Sequence, residues 1–250
     1  MLTLQQVYEK NAHMDTIQYV HGVPQVVFIV WFGTSISDTR LQALNNLIEH
    51  LHVPYILITE KNYESYSKPE MPIHTVFPYL SGVHKSDYLR TYLLYHYGGM
   101  YHDIKFREQS VSTMWSKFSD PNIWIISRPE KHEGWIGYNV EDPKMKQLQK
   151  HYAELGTMGW VICRQKTPFL RELLNHIIQK LDKHHDRLIL FPSENPVGYY
   201  SDRPFELLRP TDTYPIRWLE LLGEKYHILM YKYRPHLNLD LPDVVYRDYK

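Results

Sequence analysis

The stretch from His84 to Lys105, HKSDYLRTYLLYHYGGMYHDIK, constrains this chain most. A helical pattern stops at a glycine pair, and a short strand carrying an acid and a base follows at once. Leu89, Tyr92, Leu93 and His96 recur at helical spacing, so residues 85–97 are expected to form an amphipathic helix. Ser81 or Ser86 caps it; the spacing does not choose between them. Asp87 and Arg90, three apart, share one face. Asp87 is also expected near the helix start, where the dipole favours a carboxylate. Gly98 and Gly99 end the helix, because glycine accepts the left-handed conformation of a helix terminus. In a strand over 100–105, alternation puts Tyr101, Asp103 and Lys105 on one face and Met100, His102 and Ile104 on the other. Asp103 and Lys105 would stand roughly 6.6–7 Å apart. That is too far for a tight ion pair with each other and suited to gripping one ligand between them.

The rest of the chain alternates strand and helix. Val26 to Phe32 (VVFIVWF) is a continuous apolar run ended by Gly33, which suits a central strand covered on both faces. Ser37 caps a helix whose apolar stripe is Leu41, Leu44, Leu47, Ile48 and Leu51. Pro54 opens a strand over 55–59, and a third short strand is expected near 73–77. This order predicts an α/β sandwich with a largely parallel sheet. Ligands of such sheets bind at the carboxyl ends of strands, where Trp31, Phe32 and Gly33 stand. Further on, 123–127 reads as a strand, 144–155 as a helix and 157–164 as a strand. Thr167-Pro168 is a helix start, followed by the stripe Leu170, Leu173, Leu174, Ile177, Ile178 and Leu181. Proline-rich 191–210 reads as a long loop. Pro215 opens a helix with Trp218, Leu219 and Leu222 inward, stopped by Gly223, and 227–233 reads as extended.

Bulk properties exclude several classes. The formal net charge is zero, which leaves no electrostatic case for nucleic acid or an anionic membrane as the main partner. The single cysteine, Cys163, cannot form an intrachain disulfide, fits a reducing compartment and reads as core. The opening MLTLQQVYEKNAH lacks the apolar core of a signal peptide, and no apolar run is long enough for a bilayer. A cytoplasmic protein is expected, with peripheral membrane association left open. The 21 tyrosines and 6 tryptophans offer faces that stack on sugars and bases, although half-buried packing is their commoner use.

Two motifs carry a resemblance. Ser86-Asp87-Tyr88-Leu89-Arg90 on the helix, then Gly98-Gly99-Met100-Tyr101-His102-Asp103-Ile104-Lys105, resembles the glycosyltransferases with an Asp-X-Asp motif: glycosyltransferase family 32, the capsular-polysaccharide synthesis group and, more distantly, the glucosylating bacterial toxins. Trp31-Phe32-Gly33 resembles their first nucleotide-binding turn. The likeness is specific over 24–105 and looser to about Tyr233. It implies a GT-A-type fold in one domain over 1–250, with a donor-binding half over about 20–110 and an acceptor or lid half over about 111–250. It implies transfer of a hexose, with retention in most relatives, from a UDP- or GDP-sugar to a glycan, lipid-linked glycan or protein, as in polysaccharide biosynthesis. It also implies that Asp87 and Arg90 bind donor hydroxyls, that Asp103 meets ribose, sugar or metal, and that Trp31 and Phe32 lie by base and ribose. Gly33, Ser86, Gly98, Gly99 and Tyr101 belong to the same substrate-binding set, and Lys85 at the helix start could meet a phosphate.

One position departs from that pattern. The last motif acid, which would bind Mn2+ or Mg2+, is Lys105, and a protonated lysine cannot ligate a cation. A preplaced ammonium can stabilise the departing diphosphate instead. Three readings follow: a metal-independent enzyme with Lys105 as the cation, which is favoured; weak metal binding through Asp103 and His102, His227 or His236; or lost activity. Catalytic roles thus fall to Asp103 and Lys105. Loop acids Glu130, Glu133, Glu194 and Asp202 are further candidates, with Glu133 beside Trp135 and Tyr138 as an acceptor surface. No nucleophile elbow, phosphate loop or dinucleotide fingerprint is present. An inactive sugar-binding module is the alternative, and a paired-carboxylate hydrolase is disfavoured by the single acid on the 101–105 face.

Overall fold

A computed structural model describes residues 1–33, 35–137, 143–194 and 213–246. Its elements are α1 (Leu4–Glu9), β1 (Tyr19–Val20), β2 (Val23–Pro24), β3 (Val27–Val30), α2 (Asp38–Leu51), β4 (Tyr55–Ile58), α3 (Gly82–Tyr97) and β5 (Gly99–His102). They continue as β6 (Ile125–Ile126), α4 (Pro143–Gln149), β7 (Trp160–Cys163), α5 (Pro168–Lys183), α6 (His185–Leu190), α7 (Gly223–Lys232) and β8 (Leu237–Asn238). Six strands form one sheet in the order β4-β3-β5-β7-β6-β8. Only β7 runs against its neighbours; β3, β4 and β5 are mutually parallel, as are β6 and β8. This is the mostly parallel α/β sandwich that the strand–helix alternation predicts.

Strand alternation divides the core into two layers. Phe28, Val30, Ile56, Ile58, Tyr101, Val161 and Cys163 face α3, α5 and α7. Val27, Ile29, Leu57, Met100, Trp160 and Ile162 face α2 and the 3-10 turns that supply Trp115 and Phe118. Both faces are covered, which is why these strands read as unbroken apolar runs. The caps are local and legible: Ser37 accepts from Arg40 N–H, Thr167 accepts from Leu170 N–H, and Pro168 sits in the first turn of α5. For α3 the cap is Ser81, which accepts from His84 N–H, while the Ser86 hydroxyl donates to Gly82 O within the helix.

Six expectations are corrected. The helix start at Ser81 moves Asp87 beyond the first turn of α3, which carries no acid, so the dipole does not explain it. That helix is not amphipathic: Asp87 through Leu94 are all buried, because α5 packs on its outer side. Strand β5 ends at His102, before Asp103 and Lys105. No strand forms at 73–77, where Pro72 and Pro78 flank a turn entering a 3-10 helix at Phe77–Tyr79. Gly223 begins a helix rather than ending one, and 227–233, expected as extended, lies mainly in α7. Buried Tyr226, Leu229 and Met230 have the helical spacing that a short apolar run conceals. Tyr138, Asp202 and most of the proline-rich loop lie outside the described residues. No helix among the described residues is long and apolar enough to cross a membrane.

The α3–β5 junction demands glycine. Gly98 and Gly99 adopt φ of +74° and +88°, and a Cβ on Gly99 would come within 3.0 Å of Val26 O. Gly99→Ala is expected to destabilise the fold by about 1–3 kcal/mol, measured by urea denaturation; an unchanged midpoint would contradict this account of the junction.

Candidate active site

Because β3, β4 and β5 are parallel, their carboxyl ends deliver Trp31–Gly33, Thr59–Glu60 and Asp103–Lys105 to one edge of the sheet. Antiparallel β7 begins at that same edge, so Met158 and Gly159 arrive there from the opposite direction. The first half of α3 also lies there, and its Lys85 ammonium stands 5.3 Å from the Phe32 ring.

At the centre is Arg90, only 6% exposed. One of its guanidinium nitrogens, Nη1, donates to Met158 O at 2.5 Å, and Nη2 reaches the Tyr101 hydroxyl and Asp103 Oδ1, each at 3.3 Å. Asp87 Oδ1 stands 3.4 Å from Nη2, and the Tyr101 ring lies 4.2 Å below the guanidinium carbon. Burial alone would lower the Arg90 pKa, but Tyr101, Asp103 and Asp87 reverse that and the net direction is upward. The group is a fixed cation. Tyr101 donates to Asp103 Oδ1 at 2.8 Å, and burial pushes its phenol pKa strongly upward, so it remains a donor.

Asp87 and Asp103 differ in exposure. The Asp87 side chain is 11% exposed and that of Asp103 is 34% exposed. Burial, moderated by Arg90 and reinforced by Asp103, raises the Asp87 carboxyl to about 7. The Asp87–Arg90 pair is thus buried within α3, not solvated on a helix face, and Arg90 carries the link to the strand end. Asp103 N–H donates to Gly159 O at 2.8 Å, and a Cβ on Gly159 would stand 3.1 Å from Asp103 Oδ2. Gly159 thus gives the carboxylate its room.

Lys105 lies partly exposed beyond Asp103. Burial lowers its pKa, Asp103 raises it and Arg40 lowers it again, so acid and both cations sense one another. Arg40, from the first turn of α2, places Nη1 3.4 Å from Ile104 O, between the two motif residues. Spacing alone did not single out Arg40, Met158 or Gly159. For Arg40 the available signal was its place three residues past the Ser37 cap, on the helix that follows the Trp31-Phe32-Gly33 strand end.

Other expected site residues divide. Lys85 is half-buried over Phe32 and Phe77, and burial holds its pKa below the usual amine value against the pull of Glu60. Trp31 is half-buried, and its indole N–H is buried without a hydrogen-bond acceptor among the described residues. Gly33, two residues on, would place a Cβ 3.6 Å from that nitrogen. The hydroxyl of Ser86 is turned back onto its own helix. Gly98 and Gly99 do not join the site: Gly98 caps α3, Gly99 starts β5 roughly 13 Å of strand from Asp103, and both serve the turn. His102 does not reach the Asp103 carboxylate, because its ring faces Arg107 on the opposite side of the sheet. His227 bonds Gly137 and Glu130, and His236 bonds Asn122 O and stacks on Trp124. Among the described residues, no group of three or more His, Cys, Asp or Glu is placed to hold a metal ion. Of the loop acids, Glu130 is buried against His227, while Glu133 and Glu194 are exposed and separate from Asp103 in the chain.

Residues 11–111 match the family described as "Glycosyltransferase sugar-binding region containing DXD motif". That span runs from before β1 to just past Lys105 and includes Asp87, Arg90, Tyr101 and Asp103. That stretch is similar to a glycosyltransferase sugar-binding region, as the motif resemblance implies. No curated protein matches the sequence. A solved structure titled "PaToxG Glycosyltransferase" is similar at 11% identity and a TM-score of 0.39, over 66% of this chain. The chain spans 64% of that structure's length.

Asp87 gives a pH signature. Folded, it holds its proton to about 7, against an ordinary value of 3.8. Between those values the folded state binds more protons than the unfolded, so this group makes stability fall as pH rises, levelling above the folded value. Asp87→Asn removes that slope. Between pH 5 and pH 8 the variant should gain about 2 kcal/mol on the wild type, read from urea melts; a constant difference across the range would refute a buried proton.

Proposed function

We propose that this glycosyltransferase moves a hexose from a UDP- or GDP-sugar to a glycan, lipid-linked glycan or protein acceptor, with retention of configuration. The observation that carries this reading is Asp103: a carboxylate at the carboxyl edge of the sheet, fixed through Oδ1 by Tyr101 and Arg90 and partly open to solvent. Donor hydroxyls are the groups such a carboxylate recognises. In this reading Trp31 and Phe32 flank the nucleoside. Asp87 and Arg90 act mainly through Asp103, as positioning residues, since both are buried.

The chemistry asked of the protein is positioning and charge stabilisation. Front-face departure of the nucleotide diphosphate needs no protein nucleophile; it needs the acceptor oxygen held beside the anomeric carbon and the leaving phosphate neutralised as charge develops. Lys105 supplies a cation for that charge, and Asp103 holds the sugar. The acceptor half is read as the 111–246 side of the sheet. Trp135 and Tyr246 are 44% and 47% exposed there, with ring centroids 5.4 Å apart. Both lean on Arg128, itself buried against Trp160, Glu130 and Asp243. The Phe106–Val245 antiparallel bridge sets Tyr246 alongside Lys105. An aromatic pair beside the leaving-group cation suits a sugar ring of the acceptor. A cytoplasmic role in polysaccharide assembly is consistent with this reading. Lys105 in place of the second acid also favours a silent nucleotide-sugar-binding module, which any measured donor hydrolysis or transfer would remove.

Two outcomes follow. Asp103→Ala should weaken UDP- or GDP-sugar binding by about tenfold or more in calorimetry, and equal affinity in both proteins would remove the site assignment. Tyr246→Ala should raise the KM for acceptor more than that for donor; the reverse order would relocate the acceptor.

A further inference from the structure

We propose that Arg40 and Lys105 form a two-armed clamp for the diphosphate of the donor and take the place of a divalent metal ion. The proposal rests on the nucleotide-sugar reading above and adds a residue and a consequence to it. Arg40 comes from the helix that follows β3, while Lys105 lies beyond the end of β5. The Arg40 guanidinium is brought to the Asp103–Lys105 segment by its contact with Ile104 O at 3.4 Å. Asp103 stabilises the charge on both side chains, and each lies close enough for Asp103 to act on it.

Among the described residues, the donor set does not fit a metal ion. Magnesium and similar hard cations require a near-octahedral shell of oxygen ligands. Here one carboxylate is offered, and its Oδ1 already accepts from Tyr101 and lies 3.3 Å from Arg90. None of the three candidate histidines reaches it, as each is engaged elsewhere. A dication would also enter the field of Arg40, Arg90 and Lys105. A diphosphate meets the opposite situation. Among the described residues, Arg40, Arg90 and Lys105 all act electrostatically with Asp103, so an anion placed beside it meets several cations. Arginine brings a planar fork that spans two phosphate oxygens, and lysine brings a point charge. The arms come from separate strand ends, so an anion lying between them is held from two directions.

The test is isothermal calorimetry on the whole chain with UDP, GDP, UMP and GMP, in EDTA and again in Mn2+. Wild type should bind one diphosphate equally well in both buffers. Arg40→Gln should lose about tenfold or more in affinity for that diphosphate, with a smaller loss for the monophosphate. Arg40→Lys should recover part of the loss, and the melting temperature should stay within a few degrees. Lys105→Gln gives the same reading independently if Arg40→Gln does not fold. Diphosphate affinity that survives in both glutamine variants, or that collapses in EDTA, overturns the clamp and leaves the donor reading standing. Failure of wild type to bind either diphosphate in either buffer overturns both.

Discussion

A buried guanidinium is costly to desolvate, and the Arg90 charge persists only because the surroundings answer it from several sides. Its neighbours come from three places: Asp87 one turn earlier on α3, Tyr101 and Asp103 on and just past β5, and Met158 O ahead of β7. Removing one partner of such a group leaves an uncompensated charge, so the arrangement is held as a unit. The orientation of the Asp103 carboxylate follows from this. The carboxylate is aimed by neutralisation of a buried cation, and its exposed portion is what a ligand would meet.

Topology sets which segments can take part. Parallel β3, β4 and β5 bring their following loops to one edge. Reversed β7 brings its preceding residues to the same place, which is how a glycine and a carbonyl from positions 158–159 come to lie against residues from 90 and 103. The cations divide along the same lines. Arg40 belongs to the helix after β3, Lys85 to the start of α3, and Lys105 to the segment after β5.

Much of this was legible in sequence, and the exceptions have physical causes. Ser37 and Thr167-Pro168 act locally through their own side chains and backbone, so their caps could be read directly. The glycine pair had to mark a left-handed turn, because two residues with positive φ tolerate little else. The burial of Asp87 and Arg90 could not be read, because it depends on α5 covering α3. The length of β5 could not be read either: its pairing partner is β7, far along the sequence, and the last shared bond is Asp103 N–H to Gly159 O. Residues 227–233 misled because a short apolar run fits a strand or a buried helix equally well. Arg40 was missed for a related reason, since its contact with Ile104 lies 64 residues away in sequence, beyond β4, α3 and β5, and leaves no trace in local spacing.

The central position of β5 has a consequence for how the chain can be divided. It pairs with β3 on one side and β7 on the other, yet the family match ends well before β7. A fragment cut at that boundary would expose the N–H and C=O groups along one side of β5, a ready template for association with other chains. It would also strip Arg90 of Met158 O. The stretch that matches the family is therefore not a portable module here: the later half of the polypeptide completes the sheet that the earlier half cannot close alone.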